Sequence, residues 1–242
     1  DIRGRFVGSM GGNLCVVLNP LATIASYLFI FSIVLRVTVN AAETGTGNFT
    51  IYFLAGFFPW FMFAESLSRS VVVLIENADL ITKVSFPVEL LPAGAVLSAY
   101  IINGVGLICF LAFLAIVGYL DWTWLLIPYV VLAQVLFTWG LSKLLAALCV
   151  FIRDMKELLA IILMVWFYGT PIVYPIGLLP EGMQAYMQLN PMWNYIALYR
   201  DVLLKHEINP YAILSTAVLA LASYGIGAWF FMRSKNAFGD VL

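Results

Sequence analysis

The chain alternates long apolar runs with short polar segments, and the run lengths set the first reading. A helical bilayer crossing needs roughly 20 mostly apolar residues at about 1.5 Å each. Runs that meet this requirement predict spans at about 21–39, 51–75, 93–120, 122–152 and 211–232. The first follows Arg3 and Arg5 like a secretory signal, but its length marks it as a retained span. Pro59 interrupts the second run and removes a backbone hydrogen bond, so a kink is expected there. The polar stretch 76–91 carries charges of both signs and is closed by Pro87 and Pro92. Asp121 marks a very short turn, and Arg153, Asp154, Lys156 and Glu157 follow the long fourth run.

Charge placement orients these spans. Arg3, Arg5, Lys83, Arg153, Lys156, Arg233 and Lys235 fall on one side, and Arg36, Arg200 and Lys205 on the other. The positive-inside bias then makes both termini cytoplasmic. Parity requires that 158–210 contribute one net crossing. Its uninterrupted apolar part, 158–168, covers only about 17 Å as helix before Gly169, Pro171 and Pro175 break it. The amphipathic stretch beyond is cut by Asn190-Pro191. These signals predict a fifth span at 158–179 and two half-inserted helices within 181–204, an outer gate. Irregular backbone at membrane depth is tolerated only when shielded or lining a cavity. A loop lying flat on the bilayer surface is the alternative reading.

Composition agrees with lipid as the solvent. Residues are 63% hydrophobic and only 10% charged, with a net charge of −1. An ordinary soluble domain is excluded, and there is no basic field for nucleic acid. Cys15, Cys109 and Cys149 lie far apart in apolar surroundings, implying neither a disulfide framework nor a metal site. No G-x-x-x-x-G-K-[ST] stretch exists, so this chain has no phosphate-binding loop for ATP. Ser142 and Lys143 are adjacent, and adjacent helical side chains diverge, which argues against an intramembrane hydrolase.

Three intramembrane charges need an explanation: Glu65, Arg69 and Lys143. Glu65 and Arg69 are four apart in the favourable order for a helical ion pair, so self-neutralisation competes with a role against a moving neighbour. Lys143 is open to two readings, snorkelling or a wet interior. Aromatic residues are abundant at 15%. Sugar rings present an apolar C–H face that can lie on an aromatic, while Tyr hydroxyls bond the ring edges. Tyr27, Phe31, Trp60, Phe61, Trp166, Tyr168 and Tyr174 are therefore candidates for lining a glycan path, with generic packing as the competing reading.

Several local sequences carry a family resemblance. Arg5-Phe6, Ser9, Gly12 and Asn19-Pro20 resemble the opening of polysaccharide-exporting ABC transporter permeases of the ABC-2 type. Phe58-Pro59-Trp60, Ser66-Leu67-Ser68-Arg69, Phe151-Ile152-Arg153-Asp154, Thr170-Pro171-Ile172-Val173-Tyr174, Asn190-Pro191 and Tyr199-Arg200 are similar to the same family, in order along nearly the whole chain. The O-antigen branch is the nearest in kind, with teichoic-acid and capsule exporters as relatives. One departure is Gly11-Gly12-Asn13-Leu14-Cys15, where relatives commonly carry an aromatic after the glycine.

The resemblance implies an all-α integral membrane protein with six transmembrane helices, an amphipathic interface helix at 3–18 and two short re-entrant gate helices between spans five and six, forming one domain over 1–242. It implies a homodimeric pore in the bacterial inner membrane, bound to two separate ABC ATPase subunits that hold ATP and Mg. The cargo implied is a polysaccharide on undecaprenyl pyrophosphate. Carried over by position, 76–91 is the coupling segment, with Arg3, Arg5, Asp79, Lys83, Pro87, Glu89, Arg153 and Asp154 as ATPase contacts. The outer gate takes Pro171, Asn190, Pro191, Tyr199 and Arg200. Exporters of a teichoic acid, capsule, small lipid or drug remain alternatives, as does an ion-coupled secondary transporter using Glu65, Arg69 and Lys143.

Overall fold

The computed structural model describes residues 22–83 and 87–241, and among these no strand occurs. The interface helix expected at 3–18, with Arg3 and Arg5, lies outside the described residues, as does the side chain of Lys83. Among the described residues, four stretches are long and apolar enough to cross a bilayer: Ala41–Ser70, Leu90–Val117, Trp122–Phe151 and Pro210–Ala237. The helices, in chain order, are α1 Ala22–Val34, α2 Ala41–Thr44, α3 Phe49–Ser70, α4 Val73–Glu76, α5 Ala78–Lys83 and α6 Leu90–Val117. They continue as α7 Ile127–Phe151, α8 Met155–Tyr168, α9 Glu181–Met187, α10 Pro191–Arg200, α11 Pro210–Ser234 and α12 Phe238–Val241. The first and fifth expected spans correspond to α1 and α8, of roughly 20 Å each as helix and hence shorter than the four main helices. α8 stops where Gly169 and Pro171 break the helical pattern, eleven residues before the expected end at 179.

Local sequence explains where helices start. At one end of the bundle, Asx side chains accept orphan amide hydrogens of the first turn. Asn48 Oδ1 accepts from Thr50 N–H at 2.9 Å, and Asp121 Oδ2 accepts from Thr123 N–H at 3.2 Å. Asn209 Oδ1 accepts from the Tyr211 and Ala212 amides at 3.1 and 3.2 Å, with Pro210 opening the helix. α3 runs continuously through Pro59, whose ring cannot donate to the preceding turn. The Gln134 amide from α7 donates to the Pro59 carbonyl at 2.7 Å, tying the two helices at this point.

Packing divides into three apolar clusters. The first joins α1, α3, α8 and α10 through Phe53, Phe63, Leu163 and Tyr195. The second joins α3, α6 and α7 to α10 through Met62, Val96, Val130 and Leu198. The third sits at the Arg153 end, where α12 places Phe238 among Leu74, Ala146, Val150 and Phe231. Small residues set a close helix crossing. A Cβ on Gly227 of α11 would fall on the carbonyl oxygen of Gly140 in α7, and one on Gly140 would meet the Ser223 backbone. This is the close approach that small residues permit between membrane helices. The outward faces stay apolar, with Ile108 65% and Ile116 85% exposed on α6. Such surface is compatible with lipid contact and not with a water-facing monomer.

Candidate functional site

Aromatic side chains from α1, α3 and α8 form one continuous seam. Tyr27 lies 6.2 Å from Phe31, 5.6 Å from Phe53 and 5.2 Å from Phe167, centroid to centroid. Along α3 the series continues from Phe53 to Phe57 at 5.2 Å and from Phe57 to Phe61 at 5.5 Å. Trp60 meets Trp166 edge-on at 6.0 Å and Phe167 at 5.6 Å. These spacings are the ordinary attractive range for aromatic pairs. The phenols add polar links. Tyr27 and Tyr168 hydroxyls are 3.4 Å apart, Tyr174 donates to the Tyr168 carbonyl at 3.0 Å, and Tyr52 donates to the Tyr174 carbonyl at 3.2 Å.

All seven aromatics singled out from the sequence therefore gather at this seam, but not in equivalent positions. Trp60 is buried behind it, Tyr168 is 51% exposed, and Tyr27, Phe31, Phe61, Trp166 and Tyr174 are half-buried. Its rear layer is Phe53, Phe57, Phe63 and Phe167, all buried.

The irregular segment after α8 is held by a buried cation. Arg200, 3% exposed at the end of α10, donates to the Pro171 and Ile172 carbonyls at 2.7 and 3.1 Å. It also donates to the Tyr52 hydroxyl and carbonyl at 2.8 and 3.3 Å, and its guanidinium stacks 3.6 Å from the Tyr52 ring centroid. A planar fork with five N–H donors suits this divergent set of acceptors. Gly56 provides the room, since a Cβ there would stand 2.7 Å from the guanidinium. Asn190 fastens the other side of the segment. Its Oδ1 accepts from Trp166 Nε1 at 2.8 Å and from the Met192 and Trp193 amides, while its Nδ2 donates to the Thr170 hydroxyl at 2.9 Å. Pro191 opens α10 directly after this cap. Tyr199 donates to Gln134 Oε1 at 3.0 Å, extending the network to the Pro59 carbonyl. Pro171, Asn190, Pro191, Tyr199 and Arg200 are thus brought to one hydrogen-bonded region. Beside it, a cavity of about 270 Å³ is lined by Asn40, Glu43, Pro175 and Gly177. After α10, burial pushes the Asp201 carboxyl above the usual carboxylate range, while Lys205, 3.0 Å away, pulls it back.

The intramembrane charges separate into two arrangements. Arg69 Nε donates to Glu65 Oε1 at 2.7 Å within α3, as the i, i+4 spacing leads one to expect. Lys143, 6% exposed, lies between the Trp139 and Tyr224 rings at 4.5 and 4.3 Å. A charged residue within a span carries an insertion cost that reaches about 2.5–3.5 kcal/mol at the centre, and each desolvated ring contact returns up to about 2 kcal/mol. Substituting Glu65→Gln and Arg69→Gln together is expected to cost about 1 kcal/mol less than the sum of the single costs. Thermal unfolding of the detergent-solubilised variants measures this, and strictly additive losses would contradict the pairing.

At the Arg153 end, the coupling candidates sit around the third cluster. Asp79 lies on α5, Pro87 and Glu89 precede α6, and Arg153 and Asp154 form the exposed turn between α7 and α8. Ile81, Val88 and Leu91 pack on that cluster, and Lys235 pairs with Glu89 at 3.0 Å. Sequence reading missed Tyr52 and Gln134. An amide inside the apolar fourth run was a usable signal for Gln134. Tyr52 carried none, because nothing local marks it as the platform for an arginine far along the chain.

The ABC-2 type transporter profile matches residues 5–204. The chain belongs to the ABC-2 type transporter family. This permease is 31% identical over 249 aligned positions to the O-antigen export system permease protein RfbA of Klebsiella pneumoniae, covering all of this chain and 92% of that protein. A Myxococcus xanthus protein of the same name is 30% identical over 215 positions, covering 86% of this chain and 78% of its own. The polysialic acid transport protein KpsM of Escherichia coli is 24% identical over 247 positions, covering 98% and 91%. The chain is an integral membrane transport subunit rather than an enzyme.

Proposed function

We propose that this permease moves a lipid-linked polysaccharide of the O-antigen class across the bacterial inner membrane, as the transmembrane half of an ATP-driven exporter. The observation that carries the reading is similarity along the whole chain to proteins named O-antigen export permeases. The absence of a phosphate-binding loop from the sequence fits a division of labour in which a separate ATPase hydrolyses ATP. Two copies of this chain would form the pore, with two ATPase subunits at the Arg153 end. In this arrangement α1 and α8, with their irregular extensions, complete six crossings, and both termini are cytoplasmic. The segment 3–18 would lie in the interface as an amphipathic helix.

The mechanism assigns work to residues already placed. ATP-driven closure of the partner presses on α5 and on the Arg153-Asp154 turn, and the third apolar cluster passes that displacement to α6, α7 and α11. The half-buried face of the seam offers successive sugars stacking contacts that are individually weak and interchangeable, as a moving polymer requires. The 171–204 region, pinned by Arg200 and Asn190, forms the gate at the opposite end. Undecaprenyl pyrophosphate is the carrier lipid in this reading, its tail remaining at the protein–bilayer boundary.

A triple replacement of Trp166, Tyr168 and Tyr174 by alanine tests the path. Export of the lipid-linked glycan in reconstituted vesicles is expected to fall by at least roughly tenfold, the effect of losing two or three stacking contacts, while ATPase assembly is retained. Export at the unaltered rate would remove the seam from the path.

A further inference from the structure

We infer that Trp139, Lys143 and Tyr224 form a binding site for the phosphate of a lipid headgroup, in the leaflet at the Arg153 end. Two of its groups, the Lys143 ammonium and the Trp139 indole N–H, can only donate. Trp139 and Lys143 lie four residues apart on α7 and therefore on one face, and Tyr224 closes over them from α11. Among the described residues, no carboxylate pairs with Lys143, and the buried Trp139 Nε1 has no hydrogen-bond partner. The two rings present π faces to the ammonium but accept no directed N–H bond. A phosphate oxygen supplies the missing acceptor for both groups, and its charge complements the ammonium.

The position along the membrane fits a headgroup rather than a mid-bilayer ligand. Trp122, 65% exposed, starts the long fourth stretch, and Lys143 follows it by about 31 Å of helix, close to the hydrocarbon thickness of a bilayer. On α11, Tyr211 and Trp229 are 64% and 62% exposed at its two ends, the arrangement of an aromatic belt. Tyr224 lies about 7–8 Å inside the level of Trp229. A lysine at this depth meets a headgroup phosphate drawn slightly inward. Trp139 and Tyr224 are themselves only half-buried, so the rim of the cluster stays at the surface of the chain.

The phosphate has two possible sources: an acidic phospholipid of the bilayer, or the pyrophosphate of a lipid-linked cargo. Only the second rests on the exporter reading above. The test uses the full permease, with any ATPase that purifies with it, in nanodiscs of phosphatidylcholine. These are titrated in parallel with phosphatidylglycerol and with farnesyl pyrophosphate, and bound lipid is counted by native mass spectrometry. Lys143→Met and Trp139→Phe are compared with the unaltered protein; the second keeps an aromatic face and removes the indole N–H. Each variant is expected to bind the preferred lipid roughly tenfold more weakly, the weight of one hydrogen bond to a charged group. Preference for phosphatidylglycerol makes this a bilayer-lipid site and leaves the exporter reading untouched. Preference for the pyrophosphate makes it a cargo station. Equal binding by both variants and the unaltered protein overturns the inference and leaves a cation held by two rings alone. The ATPase content of the same samples is scored separately, so that failure of the exporter reading is seen independently of lipid binding.

Discussion

Arg200→Met is expected to release the 171–174 segment from the bundle and to cost about 3 kcal/mol or more of stability. The arginine serves two acceptors on that segment, Pro171 and Ile172, and two on Tyr52. Methionine fills much of the volume but donates nothing, so buried carbonyls lose their partners at about 1–3 kcal/mol each. The apolar part of the side chain still packs, which separates the lost hydrogen bonds from a cavity effect. Arg200→Lys is expected to recover only part of the loss, because an ammonium is a point donor and cannot span acceptors on both sides of the Tyr52 ring. Thermal unfolding in detergent gives the stability term, and cysteine labelling at position 172, buried in the native protein, reports opening of the segment. A melting temperature and labelling rate unchanged in Arg200→Met would show that Arg200 does not hold the segment.

Gly227→Val is expected to have the other large effect, separating α7 from α11. The added side chain has nowhere to go but onto the Gly140 carbonyl, which belongs to the backbone of a helix and cannot swing aside. Overpacking typically costs about 1–3 kcal/mol and more where backbone must move, so the variant should reach or pass the upper end of that range. Gly225→Val serves as the comparison, since a Cβ at Gly225 has nothing within 4 Å. The two variants share a helix and a substitution and differ only in the face they present. Equal folded yields after size-exclusion chromatography would contradict the close crossing, whereas loss confined to Gly227→Val supports it.

Much of the helical frame was legible because it follows from local chemistry. Long apolar runs located the four main helices, and Asn48, Asp121, Asn190 and Asn209 stood where orphan amides need acceptors. Glu65 and Arg69 announced their pairing by spacing alone. Tertiary partners were less visible. Arg200 was placed in the outer region, but its acceptors are mostly backbone carbonyls, which leave no residue signature, and Tyr52 stands 148 positions away. Ser223 and Gly227 form a recognisable small-residue pattern, yet only the fold shows that Gly140 is what they meet. The aromatics illustrate the remaining gap. Composition identified them and the fold gathered them, but burial then set Trp60 behind the seam and left Tyr168 at its face. At the fifth run the helix break was legible, because Gly169, Pro171 and Pro175 follow the last apolar residues and the helix ends at Tyr168.

The central claim is that this chain is the membrane half of an ATP-driven exporter, and a tagged pull-down from gently solubilised native membranes tests it most directly. Mass spectrometry of the eluate should find a second protein carrying a phosphate-binding loop, in equal amount to the permease, together with vanadate-sensitive ATP hydrolysis. Recovery of the permease alone and without ATPase activity, when chemical cross-linking before extraction also captures no such partner, would contradict the account.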